Sequence, residues 1–182
     1  MIHWNNVASD IEFRDISEIT STLSPNDVIR LASKFSDQPL IIFERGCRSQ
    51  IYSHLASSHN ELGGLLMGQV YVNPKNGQPN IILVKEPIAS LVFKSTRVSL
   101  RMDSDIWNAA RARIDDGLTV VGWYHSHPKL GAFFSATDRH NQRNNFYHPY
   151  SIGYVIDPCR NESKWFIGQS AEDIPDDRVI IK

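Results

Sequence analysis

The apolar run LTVVGWY at residues 118–124 leads directly into the motif HSHP at residues 125–128. A nearly continuous apolar run of this length predicts a buried, central β-strand. Residues two apart in a strand point to the same face, so His125 and His127 can reach one common point at the end of that strand. The chain is therefore expected to fold around a sheet whose central strand carries two imidazoles.

The remaining pattern mixes helices and strands. Apolar residues at helical spacing predict helices over about 25–35, 49–57 and 103–115. Short apolar runs predict further strands, and a turn at Asn76-Gly77 is expected to join two of them in a hairpin. These strands are predicted at 40–43, 63–71, 80–85, 91–100, 152–156, 165–167 and 179–181. The fold class expected from this mixture is α/β (α+β), with helices over one sheet.

The length of 182 residues suits one domain. Residues 1–38 are expected to form an N-terminal extension with one helix, and a short helical segment around 15–20 is a further option. Residues 39–182 are expected to form the domain proper. The extension is expected to pack on that domain or to contact a partner.

Composition restricts the partners and the compartment. The net charge of −1 gives no electrostatic reason to expect nucleic acid or an anionic membrane as a partner. We see neither a signal peptide nor an apolar stretch of membrane-spanning length. Only two cysteines, Cys47 and Cys159, are present and they are far apart, so neither a disulfide framework nor a cysteine zinc cluster is expected. A reducing, cytoplasmic setting is the resulting expectation.

Two histidines alone do not complete a catalytic zinc site, which typically has three protein ligands. The motif SATD at residues 135–138 offers Asp138 as the third, if the intervening loop folds back on the strand end. Ser135 and Asp138 are three apart, so a helix starting at Ser135 would present both to the same side. His140 and His148 are alternative third ligands, and Asp138 is preferred to them.

Each of these features also has a structural interpretation. An H-x-H pair alone is a weak metal signal, and S-x-x-D alone is a capping box. Glu61, a candidate proton shuttle, would by itself be a surface acid, and the glycines that follow it indicate tight packing, since no phosphate-binding loop motif is present. The other histidines, His3, His54 and His59, are expected on the surface.

Taken together, Glu61, H-x-H, seven residues and S-x-x-D closely resemble the JAMM (MPN+, JAB) family of zinc isopeptidases. The resemblance extends to the flanking sequence and covers about residues 40–170. Its segments are ELGGLLMG at 61–68, GWYHSHP at 122–128, FSATD at 134–138 and YVIDP at 154–158. Deaminases of similar fold use H-x-E with P-C-x-x-C, and neither motif is present. RadC-type proteins share part of the pattern but fit less well.

The resemblance implies a JAB/MPN fold, a curved mixed sheet flanked by helices as in cytidine deaminases. It implies one zinc ion held by His125, His127 and Asp138 with a bound water. It also implies that Glu61 moves the proton and that the Ser135 hydroxyl donates to the developing oxyanion.

The implied substrate is the amide that follows the C-terminal tail of ubiquitin or a ubiquitin-like protein. The segments 90–103 and 139–150 lie where the family carries insertions near that tail. The short layout resembles bacterial standalone members, some of which accompany E1-like and E2-like proteins in antiphage systems. Two other functions stay open: an MPN scaffold that holds zinc and recruits partners, and a zinc peptidase acting on ordinary peptides.

Overall fold

The computed structural model describes residues 13–33, 38–73, 75–90 and 104–182. Its helices are α1 (Ile16–Thr20), α2 (Pro25–Ser33), α3 (Arg45–Leu55), α4 (Ser104–Asp115) and α5 (Ala136–Asn145). Its strands are β1 (Arg14–Asp15), β2 (Leu40–Phe43), β3 (Gly63–Val72), β4 (Pro79–Ala89), β5 (Thr119–Ser126), β6 (Ile152–Asp157), β7 (Glu162–Ile167), β8 (Glu172–Ile174) and β9 (Val179–Ile181).

The strands of the described residues form one mixed sheet. Their order is β8-β7-β6-β5-β3-β4-β2-β9, and β1 pairs with β3 off this path. β5 lies between antiparallel β3 and parallel β6, which confirms the predicted central strand. β3 and β4 pair antiparallel, which confirms the predicted hairpin. Register shifts in β3 beside Met67 bend the strand, as β-bulges do, and give the sheet curvature. The predicted fold class is confirmed.

Successive residues of β5 serve opposite faces of the sheet. Tyr124 packs in the cluster that contains the buried side of α3. Trp123 packs in the cluster that contains Ile106 and Ala110 of α4. Because side chains alternate along a strand, His125 shares the α4 face with Trp123. Trp123 and Tyr124 are each fully buried, and burial of a large apolar side chain contributes about 1.5–3 kcal/mol.

The described part of the N-terminal extension carries two helices: α2, at the position of the predicted helix, and α1, at the position of the short helical segment given as an option around 15–20. α1 forms because Asp15 and Glu18 make a complete capping box, with the Asp15 side chain accepting from the Ser17 N–H at 2.8 Å. β1 runs parallel to β3, and Ile19 and Leu23 are buried in a cluster with residues of β3 and β4. The extension therefore packs on the sheet, while the domain division after residue 38 stays a prediction.

Several element bounds differ from those predicted. α3 begins at Arg45, four residues before the predicted start, because the Arg45 N–H is satisfied by the carbonyl of Lys182 at 2.5 Å. The short strands β1 and β8 were not predicted, since two or three residues show no alternation. The strand predicted over 91–100 lies outside the described residues. Among the described residues, no helix combines the length and apolarity needed to cross a membrane.

Candidate metal centre

Three predicted side chains converge at the end of β5. The Nε2 atoms of His125 and His127 lie 3.2 Å apart. His125 Nε2 is 3.2 Å from Asp138 Oδ1, and His127 Nε2 is 3.4 Å from Asp138 Oδ2. All three residues are buried, at 1%, 4% and 5% exposure respectively. Their donor atoms form a group that could hold a metal ion.

The spacing of these atoms fits a tetrahedral ion. Ligand atoms about 2.0–2.1 Å from such an ion are about 3.3 Å from each other. The three observed separations, 3.2, 3.2 and 3.4 Å, match this value. Two imidazole nitrogens and one carboxylate oxygen are a donor set that suits zinc and related divalent metals.

The ionisation of Asp138 also suits a ligand. Burial raises the pKa of its carboxyl group, but hydrogen bonds from His125 and His127, the charge of His125 and a further hydrogen bond from Ser135 outweigh burial. The pKa of Asp138 is therefore held well below its ordinary value, so the group is a carboxylate. Metal ligands must be deprotonated, and this carboxylate already is.

Ser135 and Asp138 form a helix capping box, and Asp138 also belongs to the candidate metal centre; these are the two interpretations that the sequence left open. Ser135 is the N-cap of α5, and its Oγ accepts from the Asp138 N–H at 3.2 Å. The Ser135 N–H donates to Asp138 Oδ2 at 2.7 Å. The capping box thus fixes the carboxylate that faces the two imidazoles. The Asp138 side chain therefore takes part in both the helix cap and the group that could hold a metal.

Glu61 is brought beside the centre by a pair of contacts at Leu62. The Leu62 N–H donates to Ser126 Oγ at 3.0 Å, and the Ser126 N–H donates to the Leu62 carbonyl at 2.8 Å. Burial lowers the pKa of His127, but Asp138 and the nearby charge of Glu61 raise it more, so that it lies above its ordinary value. Glu61 is half-buried and close enough to act on the centre electrostatically.

The glycines after Glu61 allow close strand packing here, as the sequence predicted. Gly63 pairs with His125 across the sheet. A Cβ atom on Gly63 would lie 2.6 Å from the Tyr124 carbonyl oxygen and 3.0 Å from His125 Cβ. Any side chain at residue 63 would therefore displace the strand that carries the histidines.

The contacts that hold the His125 ring in place, made by Trp123 and Gln142, were not predicted from the sequence. The Trp123 indole stacks on the His125 imidazole, and its Nε1 donates to Gln142 Oε1 at 2.7 Å. Gln142 is fully buried in α5, which otherwise has a polar sequence. A lone buried amide in a polar helix has no periodic signal, so only the structure identifies it.

The alternative ligands lie away from the centre. His140 is exposed and pairs with the Asn144 amide at 2.9 Å. His148 stacks on Tyr150, with ring centroids 5.0 Å apart. His54, predicted on the surface, is instead half-buried: its Nδ1 lies 2.9 Å from the Tyr124 hydroxyl oxygen. His59 is exposed, as predicted, and His3 lies outside the described residues.

A mixed sheet with two histidines at the end of its central strand and an aspartate on the next helix defines a JAB/MPN-type domain. The chain matches the family model described as "Prokaryotic homologs of the JAB domain" over residues 44–168, and it belongs to this family. This confirms the family indicated by the motifs.

Individual relatives agree with this placement. The chain is 32% identical over 111 residues to COP9 signalosome complex subunit 5 of Eremothecium gossypii, which covers 59% of the chain and 25% of that protein. It is also 32% identical over 100 residues to NAD(+) hydrolase TcpA of a Theionarchaea archaeon, covering 54% of the chain and 27% of that protein. The chain thus spans about a quarter of the length of these relatives.

A solved structure supports the fold. Protein DSY2949 from Desulfitobacterium hafniense superposes with a TM-score of 0.60 at 19% identity, covering 79% of this chain and 93% of that one. At 19% identity, this superposition shows a shared fold.

Proposed function

We propose that this protein is a zinc-dependent isopeptidase or peptidase that cleaves the amide after the C-terminal tail of a ubiquitin-like protein. The observation that carries the proposal is the buried group of His125, His127 and Asp138, with Glu61 held beside it by the Leu62–Ser126 contacts. The JAB/MPN family to which the chain belongs includes zinc isopeptidases. The arrangement supplies the residue types that metal-assisted amide hydrolysis needs.

Each side chain has a proposed role. His125, His127 and Asp138 would hold the zinc ion. When bound, zinc would supply Lewis acidity toward the scissile carbonyl and lower the pKa of water to near neutrality. Glu61 would accept a proton from the attacking water and return it to the leaving amine. The Ser135 hydroxyl would donate a hydrogen bond to the oxygen that becomes negative.

The fixed carboxylate of Asp138 has two consequences for this chemistry. Its charge would be neutralised by the cation, while its position is set by the α5 cap and does not depend on the substrate. Glu61 is positioned through the backbone contacts of its neighbour Leu62 with Ser126. As the proposed shuttle, its carboxylate would have to reach both the attacking water and the leaving amine.

The proposed substrate is an extended, glycine-rich tail. Such a tail can add to a sheet edge, where backbone hydrogen bonds supply affinity and a narrow cleft excludes large side chains. We place the reaction in a reducing, cytoplasmic compartment because both cysteines are free thiols in the structure. E1-like and E2-like proteins of a bacterial conjugation or antiphage system are the proposed pathway partners.

The test uses ubiquitin-like domains fused through their tails to a reporter. Zinc-loaded protein should release the reporter at the last tail residue. Glu61→Ala should bind zinc equally and release none. His140→Ala serves as the control, because His140 is on the same helix as Asp138 but is exposed and points away from the centre, and this variant should cleave normally.

Two results would replace the proposal by an alternative. Stoichiometric zinc with no cleavage of any fusion would favour a scaffold that recruits partners. Equal cleavage of unstructured peptides would favour a general zinc peptidase.

A further inference from the structure

Asp157 is a buried carboxylate that the proposed reaction does not use. It ends β6, and its side chain has no exposed surface. A buried charge is costly unless hydrogen bonds satisfy it. Here four backbone N–H groups do so: those of Lys129 at 3.0 Å, Gly131 at 2.8 Å, Cys159 at 2.9 Å and Arg160 at 3.2 Å.

Two of these donors are local and two are distant. Cys159 and Arg160 belong to the turn that follows Asp157, an arrangement common for aspartate. Lys129 and Gly131 lie 28 and 26 residues away in sequence. They belong to the loop 128–134, which joins His127 to Ser135. Asp157 therefore binds the segment that connects two parts of the metal centre.

The loop has a backbone that needs such support. Lys129 has φ 68° and Gly131 has φ 91°. The left-handed region is unfavourable for a residue with a Cβ atom, so the Lys129 conformation is held by its surroundings. The Asp157 carboxylate accepts one hydrogen bond from each of these two residues.

The loop in turn contacts His127. The Phe133 ring lies 5.0 Å from the His127 ring, centroid to centroid, and the His127 N–H donates to the Ile156 carbonyl at 2.9 Å. The loop also holds the His127 backbone, since the Leu130 N–H donates to the His127 carbonyl at 3.1 Å. The loop that Asp157 fixes is therefore in contact with both the ring and the backbone of His127.

We propose that Asp157 is a positioning residue for the metal centre: it fixes the loop 128–134 so that His127 presents Nε2 toward His125 and Asp138. This inference rests on the proposed function only in requiring that the centre binds a metal. Supporting groups of this kind, outside the ligand set, typically change metal affinity 10–100-fold when removed.

The test compares Co²⁺ binding by the full chain and by Asp157→Asn, which keeps the side-chain size but replaces one acceptor oxygen with a donor. We expect the variant to fold, to bind Co²⁺ 10–100-fold more weakly and to show an altered visible absorption spectrum of the bound cobalt. The amide hydrogens of Lys129 and Gly131 should exchange faster. Leu55→Ala, in the core on the opposite face, controls for general destabilisation and should leave the spectrum unchanged.

A second variant keeps the test decisive if Asp157→Asn does not fold. Gly131→Ala leaves Asp157 intact but strains the loop at φ 91°. We expect this variant also to weaken Co²⁺ binding and to alter its spectrum. Either folded variant with wild-type affinity and spectrum would overturn the positioning role. Failure of the unmodified chain to bind Co²⁺ or Zn²⁺ would instead overturn the proposed function.

Discussion

The Trp123 indole lies flat against the His125 imidazole, with ring centroids 4.6 Å apart and planes 7° from parallel. The other end of Trp123 is tied to Gln142, which also donates through Nε2 to the carbonyls of Phe146 and Ser151 at 3.0 Å. Gln142 belongs to α5, the helix that carries Asp138. Trp123 therefore links the strand with the histidines to the helix with the aspartate.

Removing either partner of the Trp123–Gln142 contact should destabilise the protein. Trp123→Phe leaves the Gln142 oxygen without its donor. Gln142→Met leaves the indole N–H without its acceptor and removes the side-chain donor to the Phe146 carbonyl. Each should lower the free energy of unfolding by about 2–3 kcal/mol. The measurement is urea unfolding of both single variants and the double variant. The double variant should lose less than the sum, and strict additivity would show that the contact contributes nothing.

Metal binding should depend on Asp138 and not on His140. Asp138→Asn keeps an oxygen that can accept from the Ser135 N–H, but it removes the charge of the ligand. Zinc in thousandfold excess over its dissociation constant should stabilise the unmodified chain by about 4 kcal/mol. We expect His140→Ala to retain this gain and Asp138→Asn to lose most of it, in thermal unfolding with and without zinc. The reverse ranking would assign the third ligand to His140.

Ser135 should contribute to both stability and rate, and two substitutions separate these effects. Both Ser135→Ala and Ser135→Gly remove the hydroxyl, so each should reduce kcat by about 10²–10³-fold. Only the alanine variant should cost about 1 kcal/mol of stability, because glycine is tolerated at an N-cap. Asp15→Ala removes the capping box of α1 far from the site, and it should change stability without changing kcat. A normal kcat for Ser135→Gly would remove Ser135 from the reaction.

Gly153 should not tolerate a side chain, because a Cβ atom there would run into the Phe134 ring. Phe134 is itself stacked on Phe166, with centroids 4.0 Å apart. Gly153→Ala should therefore cost about 1–3 kcal/mol through overpacking. Gly46→Ala is the matched control: it meets nothing within 4 Å, and alanine favours a helix, so stability should rise slightly. Equal effects of the two substitutions on the melting temperature would contradict the packing described.

Asp157 should make stability depend on pH on the acid side. Burial raises the pKa of Asp157, but its four backbone hydrogen bonds lower it more, so it lies below the ordinary value. A carboxyl group with a lowered pKa contributes stability above its unfolded pKa of about 3.9, and this contribution is lost as the pH falls through the folded pKa. In chelator, the melting temperatures of the unmodified chain and Asp157→Asn should differ most near pH 7 and converge below about pH 4. A difference that is constant with pH would exclude the charge as the cause.

The sequence identifies the parts of this protein whose signal is local. The alternation of Trp123, His125 and His127 in one strand predicts that the imidazoles share a face, and the capping box predicts where Asp138 lies on α5. The structure places these residues together at the separations a metal requires.

The parts that the sequence did not predict depend on contacts between distant segments. Arg45 lies four residues before the predicted start of α3, and its N–H is satisfied by the carbonyl of Lys182, a residue more than 130 positions away in sequence. Gln142 and Asp157 are polar residues whose burial follows from tertiary hydrogen bonds, and neither belongs to a periodic pattern. His54 is similar, since Tyr124 reaches it only across the packed face of the sheet.

The Leu62–Ser126 contacts have a consequence for the order in which the site can assemble. The three proposed metal ligands lie within residues 125–138, so a short stretch of chain can bring them near each other early in folding. Glu61 is contributed by a segment more than sixty positions upstream and arrives only when β3 pairs with β5. Under the proposed function, a partly folded chain would thus be able to capture a metal ion while still lacking Glu61, the proposed proton carrier, and hydrolysis would require the completed sheet.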